Sequence, residues 1–459
     1  MKNLKNSGLA LALFASQFLA MNAMADQTSD DIQALKNQIQ ALSQKVEQLQ
    51  HQQNVQTAKQ TNAPFITAGA EGFSLQSADK NFILKLGGFA QVDARDYVST
   101  ARGGKDTFTI RRMRAIASGS VYHDFEYYLQ TDFASGITSS TTNNSFMQDA
   151  YVNIHHWDGL QFKAGKFKEP VSMEVLPLDQ YLWFLERGLP TELAPNRDVG
   201  VEIQGTLWNG ALVYQAGAFN GVPDGGSGDI EVADNDKDAV VRVIATPFKN
   251  TQIDALQNFA FGLGSSYGLQ GGATTPTFAT MGRQTFFKYN STVSETGQHL
   301  RLIPQGSYYW GPFCGYWEYA ISDEEFRLAS GKGKNAYFEN TGWDVVGSWY
   351  LTGEKNVFGV IPQIKHPFRF DGSGWGAWQL AARFGQLSLD PAAFPLGFAS
   401  STQPKGATSW SLALNWYLNH NVKWIFEYTQ TAFSGGSHVV GAVTANDERV
   451  IQGRLQFGF

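Results

Sequence analysis

Nine basic residues of this 459-residue chain lie in runs that alternate apolar and polar positions: Arg112, Arg114, Lys163, Lys166, Lys168, Arg242, Arg301, Arg383 and Arg454. In an extended strand successive side chains point to opposite faces, so an apolar row on one face leaves these cations on the other. Arginine offers an oxyanion a planar set of donors, and lysine offers it a compact charge. The chemistry such a face can do is reversible anion contact. Met113, Ala115 and Ala117 set the apolar face that turns Arg112 and Arg114 inward. Phe108 and Ile110 have the parity of those arginines, which requires a bulge near Arg111. Phe162 and Ala164 likewise turn Lys163 inward, and Phe167 then demands a slip at Gly165 that brings Lys166 and Lys168 to the inner face. Glycine is where such a bulge costs little. Asp93, Glu126, Asp132, Asp149 and Glu202 share the inner face. Each cation is therefore either an anion contact or an ion-pair partner of ordinary lining, and the expected pattern is a basic and an acidic wall.

Other chemistry finds no support. Gly264-Ser265-Ser266-Tyr267-Gly268 fits a nucleophile-elbow spacing, but the serine lies inside an amphipathic strand with no helix after it. Asp234, Asp236 and Asp238 resemble the start of a calcium loop, yet Ala239 and Ala245 stand where glycine and glutamate are needed. His155 and His156 are adjacent and face opposite sides of a strand. Cys314 is the only cysteine, so no intrachain disulfide forms, and a buried or lipid-facing thiol is expected. No enzyme, cofactor or metal is expected.

The elements that position these residues are strands. Runs at 82–97, 107–121, 125–133, 146–157, 160–169, 197–207, 211–220, 238–248, 259–269, 299–310, 312–328, 339–352, 376–389, 408–418, 422–433 and 447–459 make 16, the even number that a bacterial outer-membrane barrel requires. The last strand sets Ile451, Leu455, Phe457 and Phe459 against Gln452, Arg454 and Gln456, as expected where one side meets lipid and the other water. Short connections such as Trp157-Asp158-Gly159 alternate with long ones, and 353–375 breaks the rhythm. Residues 1–25 read as a secretory signal peptide, with Lys2 and Lys5, an apolar run and an Ala23-Met24-Ala25 cleavage site. Within residues 26–53, Ile32, Leu35, Ile39, Leu42, Val46 and Leu49 form a narrow heptad seam that predicts a periplasmic coiled coil, its β-branched a and Leu d positions favouring two strands with three left open. Residues 54–81 read as a linker and 82–459 as the barrel. Removing the leader leaves 33 basic and 41 acidic residues, a net charge of −8, which argues against nucleic-acid binding.

Specific runs then carry a resemblance. Phe108-Thr109-Ile110-Arg111-Arg112-Met113-Arg114 and Tyr127-Tyr128-Leu129-Gln130-Thr131-Asp132-Phe133-Ala134 are similar to strands of the phosphate-selective porin O/P family, as is Gln148-Asp149-Ala150-Tyr151-Val152. Ala164-Gly165-Lys166-Phe167-Lys168-Glu169-Pro170, Tyr181-Leu182-Trp183-Phe184-Leu185-Glu186-Arg187 and Ala194-Pro195-Asn196-Arg197-Asp198-Val199-Gly200-Val201 extend the match. Leu351-Thr352-Gly353-Glu354 and Gly376-Ala377-Trp378-Gln379-Leu380-Ala381-Ala382-Arg383 also resemble it. The resemblance implies a homotrimer of 16-stranded barrels in the bacterial outer membrane, touching lipid and lipopolysaccharide. It implies a third outer loop, here 170–196, that folds inward as the constriction and carries Arg187. The function implied is passive diffusion of small inorganic anions, phosphate or related oxyanions. A general or weakly cation-selective porin of the same fold is the alternative, and a peptidoglycan-linked structural protein is another.

Overall fold

Period-two alternation is realised throughout the second and larger part of the chain. The structure, a computed structural model, describes residues 32–53, 63–70, 72–99, 104–134, 146–228, 235–271, 275–329, 334–436, 439–440, 443–444 and 447–459. The expected leader, residues 26–31 of the expected coiled coil, residues 54–62 and 71 of the expected linker, and Asp234 lie outside the described residues. Residues 32–53 form a helix whose apolar seam, from Ile32 to Leu49, is exposed. No described helix is long and apolar enough to cross a membrane.

Sixteen strands build the barrel: β1 Phe82–Ser99, β2 Thr107–Val121, β3 Phe125–Asp132, β4 Met147–Trp157, β5 Leu160–Lys168, β6 Arg197–Leu207, β7 Leu212–Phe219, β8 Asp238–Ala245, β9 Phe259–Gly271, β10 Val293–Trp310, β11 Phe313–Leu328, β12 Lys334–Tyr350, β13 Ala377–Ser388, β14 Gly406–Tyr417, β15 Val422–Ser434 and β16 Asp447–Gly458. Each pairs antiparallel with the next, and β16 pairs with β1 to close the ring, which leaves no edge strand in the wall. At the seam Asp93 faces Arg454 and Gln91 faces Gln456, all buried, while Val92 faces Leu455 on the outer surface. The outer surface is apolar, with Phe125, Phe162, Ile203, Leu263, Phe384, Leu412 and Phe426 exposed on it. Tyr122, Trp157, Trp208 and Trp310 sit at the short turns of one rim and are exposed, an aromatic belt of the kind that lies at a membrane interface.

Two expectations of register are met differently. The bulge at Arg111 is present: Gln91 pairs with Arg112 and Val92 with Ile110, leaving Arg111 unpaired between them. No slip occurs at Gly165, because β5 keeps continuous register with both neighbours through it. Gly165 instead has φ of 132°, and Phe167 is buried inside between Tyr151 and Phe219 rather than facing out. The physical reason is that the interior offers an apolar patch there. Residues 54–81 are also more than a linker, since Phe65–Gly69 pairs with Gly72–Gln76, and the latter pairs with β1. Its Phe73 meets Phe459 edge-on at 6.1 Å between ring centroids.

The barrel is not hollow. Loops of the long-loop rim fold inward, so that Leu189 and Leu193 pack with Phe278, Phe286, Phe287, Phe326, Phe338, Phe394 and Phe398 into one buried apolar cluster. From the opposite rim, the segment after β12 enters as well. Its Phe358 ring lies tilted 4.3 Å from that of Tyr316 and meets Trp183 edge-on at 5.1 Å, and Asn356 donates to Ser348 Oγ at 2.6 Å.

Candidate functional site

The loop 170–196 crosses the barrel interior and is held on every side. Ser172 Oγ donates to Glu318 of β11 at 2.9 Å, and Arg383 of β13 donates to Glu174 at 3.3 Å. Asn415 of β14 and Lys423 of β15 each donate at 2.9 Å, to the carbonyls of Trp183 and Leu182. The Leu185 amide donates to Glu427 of β15 at 2.7 Å, and Gln456 of β16 donates to the Gln180 carbonyl at 3.0 Å. A loop anchored to so many strands keeps its charged side chains in fixed places.

Two of those side chains collect the arginines. Asp179 accepts from Arg114, pairs with Arg187 at 2.5 Å and lies 3.3 Å from Arg112. Glu186 pairs with Arg111 at 2.7 Å and Arg95 at 2.9 Å, with Arg112 at 3.7 Å and Arg454 at 3.8 Å. Asp93 pairs with Arg454 at 2.6 Å and Arg95 at 3.0 Å, and Asp132 with Arg114 at 2.8 Å. Burial alone would raise the Asp179 carboxyl, but Arg112, Arg187 and Arg114 hold it well below the usual carboxylate range. Glu186 is held low in the same way, its burial outweighed by Arg111, Arg112 and Arg95.

A cavity of about 380 Å³ opens on the long-loop side of this cluster, lined by Arg111, Arg112, Arg187 and Arg283 with Glu186 and Glu192. Arg283 is exposed there, and among the described residues no carboxylate pairs with it. Its guanidinium is pushed below its ordinary range, chiefly by the like charge of Arg111. Burial raises the Glu192 carboxyl to about 7 although the Ala279 amide donates to it. On the short-turn side of the loop a second cavity of about 540 Å³ is lined by Lys85, Tyr128, Gln180 and Tyr181. The loop thus has a cavity on either side of it, with the arginine cluster lining the one on the long-loop side. Across the interior, Glu174, Glu318 and Asp344 form an acidic counterpart.

The ten residues singled out in the sequence fall into groups. Arg112, Arg114, Arg187 and Arg454 meet at Asp179, Glu186 and Asp93. Lys168 is buried and donates to the Leu176 carbonyl of the loop at 3.3 Å, and Lys166 is buried beside it in β5. Arg383 lies 4.3 Å over the Phe184 ring and pins the loop from β13. The other three stand apart. Lys163 pairs with Glu202 at 3.1 Å, Arg242 donates to Gln305 and Gln215 at 3.0 Å each, and Arg301 is locked to Asp224 at 2.7 Å. Arg95, Arg111 and Arg283 were not among the ten. Arg95 is legible in hindsight because it shares parity with Asp93.

The phosphate-selective porin O and P family matches residues 84–459. The chain belongs to that family. No curated protein matches it. Among solved structures, this porin is similar to the outer-membrane channel DcaP of Acinetobacter baumannii at 10% identity and a TM-score of 0.54, over 86% of this chain and 100% of that one. It is also similar to the outer-membrane protein OmpT of Vibrio cholerae, in a trimer form, at 11% identity and a TM-score of 0.52, over 82% and 99%. Those likenesses carry the fold. Family membership makes this chain an outer-membrane channel protein and not an enzyme. The porin's Ser266 agrees with that, since it lies inside β9, buried, where it accepts from Arg301 at 3.2 Å.

Proposed function

We propose that this porin is a passive channel for small anions, phosphate or a related oxyanion. One observation carries the reading: among the described residues, six arginines (Arg95, Arg111, Arg112, Arg114, Arg187 and Arg454) share four carboxylates (Asp93, Asp132, Asp179 and Glu186), and no described carboxylate pairs with Arg283 beyond them. An anion in the adjoining cavity meets an excess of fixed positive charge in a space partly shielded from bulk water, where each charge acts more strongly than on an open surface. Because most of the arginines are already ion-paired, binding stays weak enough to permit exit. The rival is a general or weakly cation-selective pore, favoured by Glu174, Glu318 and Asp344 and by the net charge of −8 after leader removal. Phosphate block of chloride current separates the two. In the channel reconstituted in a planar bilayer, phosphate blocks the wild type, and Arg283→Gln weakens the block several-fold. Absence of block, or block untouched by the substitution, contradicts the anion site.

Residues 1–25 act as the leader and place residues 26–53 in the periplasm. The exposed seam of the helix pairs with copies of itself, giving a coiled coil that joins the chains of a homotrimer and reaches toward peptidoglycan. A trimer is also the form in which the Vibrio cholerae relative is described. The apolar outer surface meets outer-membrane lipid, and the long loops meet lipopolysaccharide.

A further inference from the structure

On the long-loop side, three side chains from two strands and a loop converge with nothing in the channel function to explain them. Asp224, His299 and Glu324 each place one ligand atom within 4.8 Å of the other two. All three side chains are fully buried, and Glu295, also fully buried, turns its carboxyl toward that of Glu324. The backbone is shaped to bring them together. β10 pairs Glu295 with Phe326 and His299 with Glu324, so Thr296, Gly297 and Gln298 bulge out opposite Glu325 alone. Gly297 takes φ of 74° to allow it. The bulge makes residues four apart in sequence behave as near neighbours on one face, and bulges recur where a side chain must be re-aimed.

The polar atoms are left in a telling state. Among the described residues the carboxyls of Glu295 and Glu324 have no partner but each other, Asp224 Oδ2 has none, and His299 Nδ1 has none within hydrogen-bond distance. Leaving several buried acceptors unsatisfied is costly. Arg301 is the cation beside them, and it is already committed to Asp224 Oδ1 at 2.7 Å, to the Val222 carbonyl and to Asp238. His299 Nε2 lies 2.9 Å from Ser322 Oγ and 3.3 Å from Asp224 Oδ1. A proton held on Nε2 by those oxygens leaves the Nδ1 lone pair directed at Glu324, 3.8 Å away. An imidazole oriented through its far nitrogen is the usual arrangement of a metal-ligating histidine.

We propose that Asp224, His299 and Glu324, with Glu295 beside them, bind one divalent cation of the zinc class. One imidazole nitrogen with carboxylate oxygens suits Zn²⁺, whereas Ca²⁺ and Mg²⁺ prefer all-oxygen sets. The bound cation ties the segment carrying Asp224 to the wall at β10 and β11, and it offsets carboxylates that Arg301 alone does not balance.

The test uses the full chain, extracted in detergent and stripped with chelator, with Zn²⁺ as the probe. Equilibrium dialysis with metal analysis should find one tightly held Zn²⁺ per chain. The combined variant Glu295→Gln/Glu324→Gln should lose it, and His299→Gln should weaken it at least tenfold. His155, which lies beside Glu126 and Asp158 at the opposite rim, is the rival surface site, and His155→Gln should leave uptake unchanged. Zinc-edge absorption on the wild type needs no variant and should show a nitrogen and oxygen shell with a single imidazole. No uptake by the wild type, as when Glu295 and Glu324 simply share a proton, overturns the proposal. Uptake that survives the double variant, or a shell with several imidazoles or with sulfur, overturns it equally.

Discussion

Asp179 is the residue on which the interior charge arrangement turns. It is buried and answers Arg112, Arg114 and Arg187 together. Asp179→Asn keeps its size but leaves three buried guanidinium groups without their common carboxylate. Breaking a buried pair in this way costs about 3–5 kcal/mol, so denaturant unfolding of the purified barrel should shift by that order. The sign with pH follows from the same contacts. Asp179 and Glu186 have carboxyls depressed in the folded state. Their stabilisation is present above the ordinary carboxylate range of about 4 and is lost as pH falls through their lowered values. Glu192 runs the other way, since burial raises it to about 7. Below that pH it is neutral; above it a negative charge joins the arginine-lined cavity. The anion-to-cation permeability ratio should therefore fall as pH rises through about 7, and Glu192→Gln should remove that step while leaving the low-pH ratio intact. A ratio flat across that range in the wild type would contradict the assignment of Glu192 to the ion path.

The elements were legible to different degrees, for physical reasons. All 16 wall strands follow from period-two alternation, because a membrane on one side and water on the other impose the strictest pattern a strand can carry. The Arg111 bulge was legible from a clash of parity between Ile110 and Arg112. The conformation at Gly165 was not, because parity reasoning assumes a polar interior, whereas Phe167 packs inside on Tyr151 and Phe219. Gly165 is still demanding. A Cβ there would stand 2.2 Å from the Ala150 carbonyl oxygen at a φ of 132°. Gly165→Ala should sharply lower the yield of assembled barrel, read by heat-modifiable migration, where Gly347→Ala, whose Cβ would meet open space at an ordinary φ, does not. The segment 353–375 carried no periodicity, and its entry into the barrel depends on contacts distant in sequence. Its Phe358 packs on Trp183 of the loop 170–196. Phe358→Ala should raise single-channel conductance by freeing space beside the loop, with little change in selectivity because no charge is altered. Arg283 was equally hidden, in a long connection where no alternation signals which way a side chain points.

At the scale of the whole molecule, one barrel carries two opposed charge patterns under a net negative total. The basic cluster is concentrated where the loop 170–196 narrows the interior, and the acidic residues Glu174, Glu318 and Asp344 lie across from it. Local field at a constriction, and not total charge, decides which ions pass. If the helix at 32–53 joins the proposed trimer, its deletion should leave current per pore unchanged while altering the oligomeric state, read by native mass spectrometry. The central claim is that the arginine excess wins at the narrowest point. Single-channel reversal potential in asymmetric KCl, at a pH below the Glu192 transition, tests it most directly. The reversal potential is expected to be displaced toward the chloride equilibrium value. A reversal potential at zero, or displaced toward the potassium value, would contradict it.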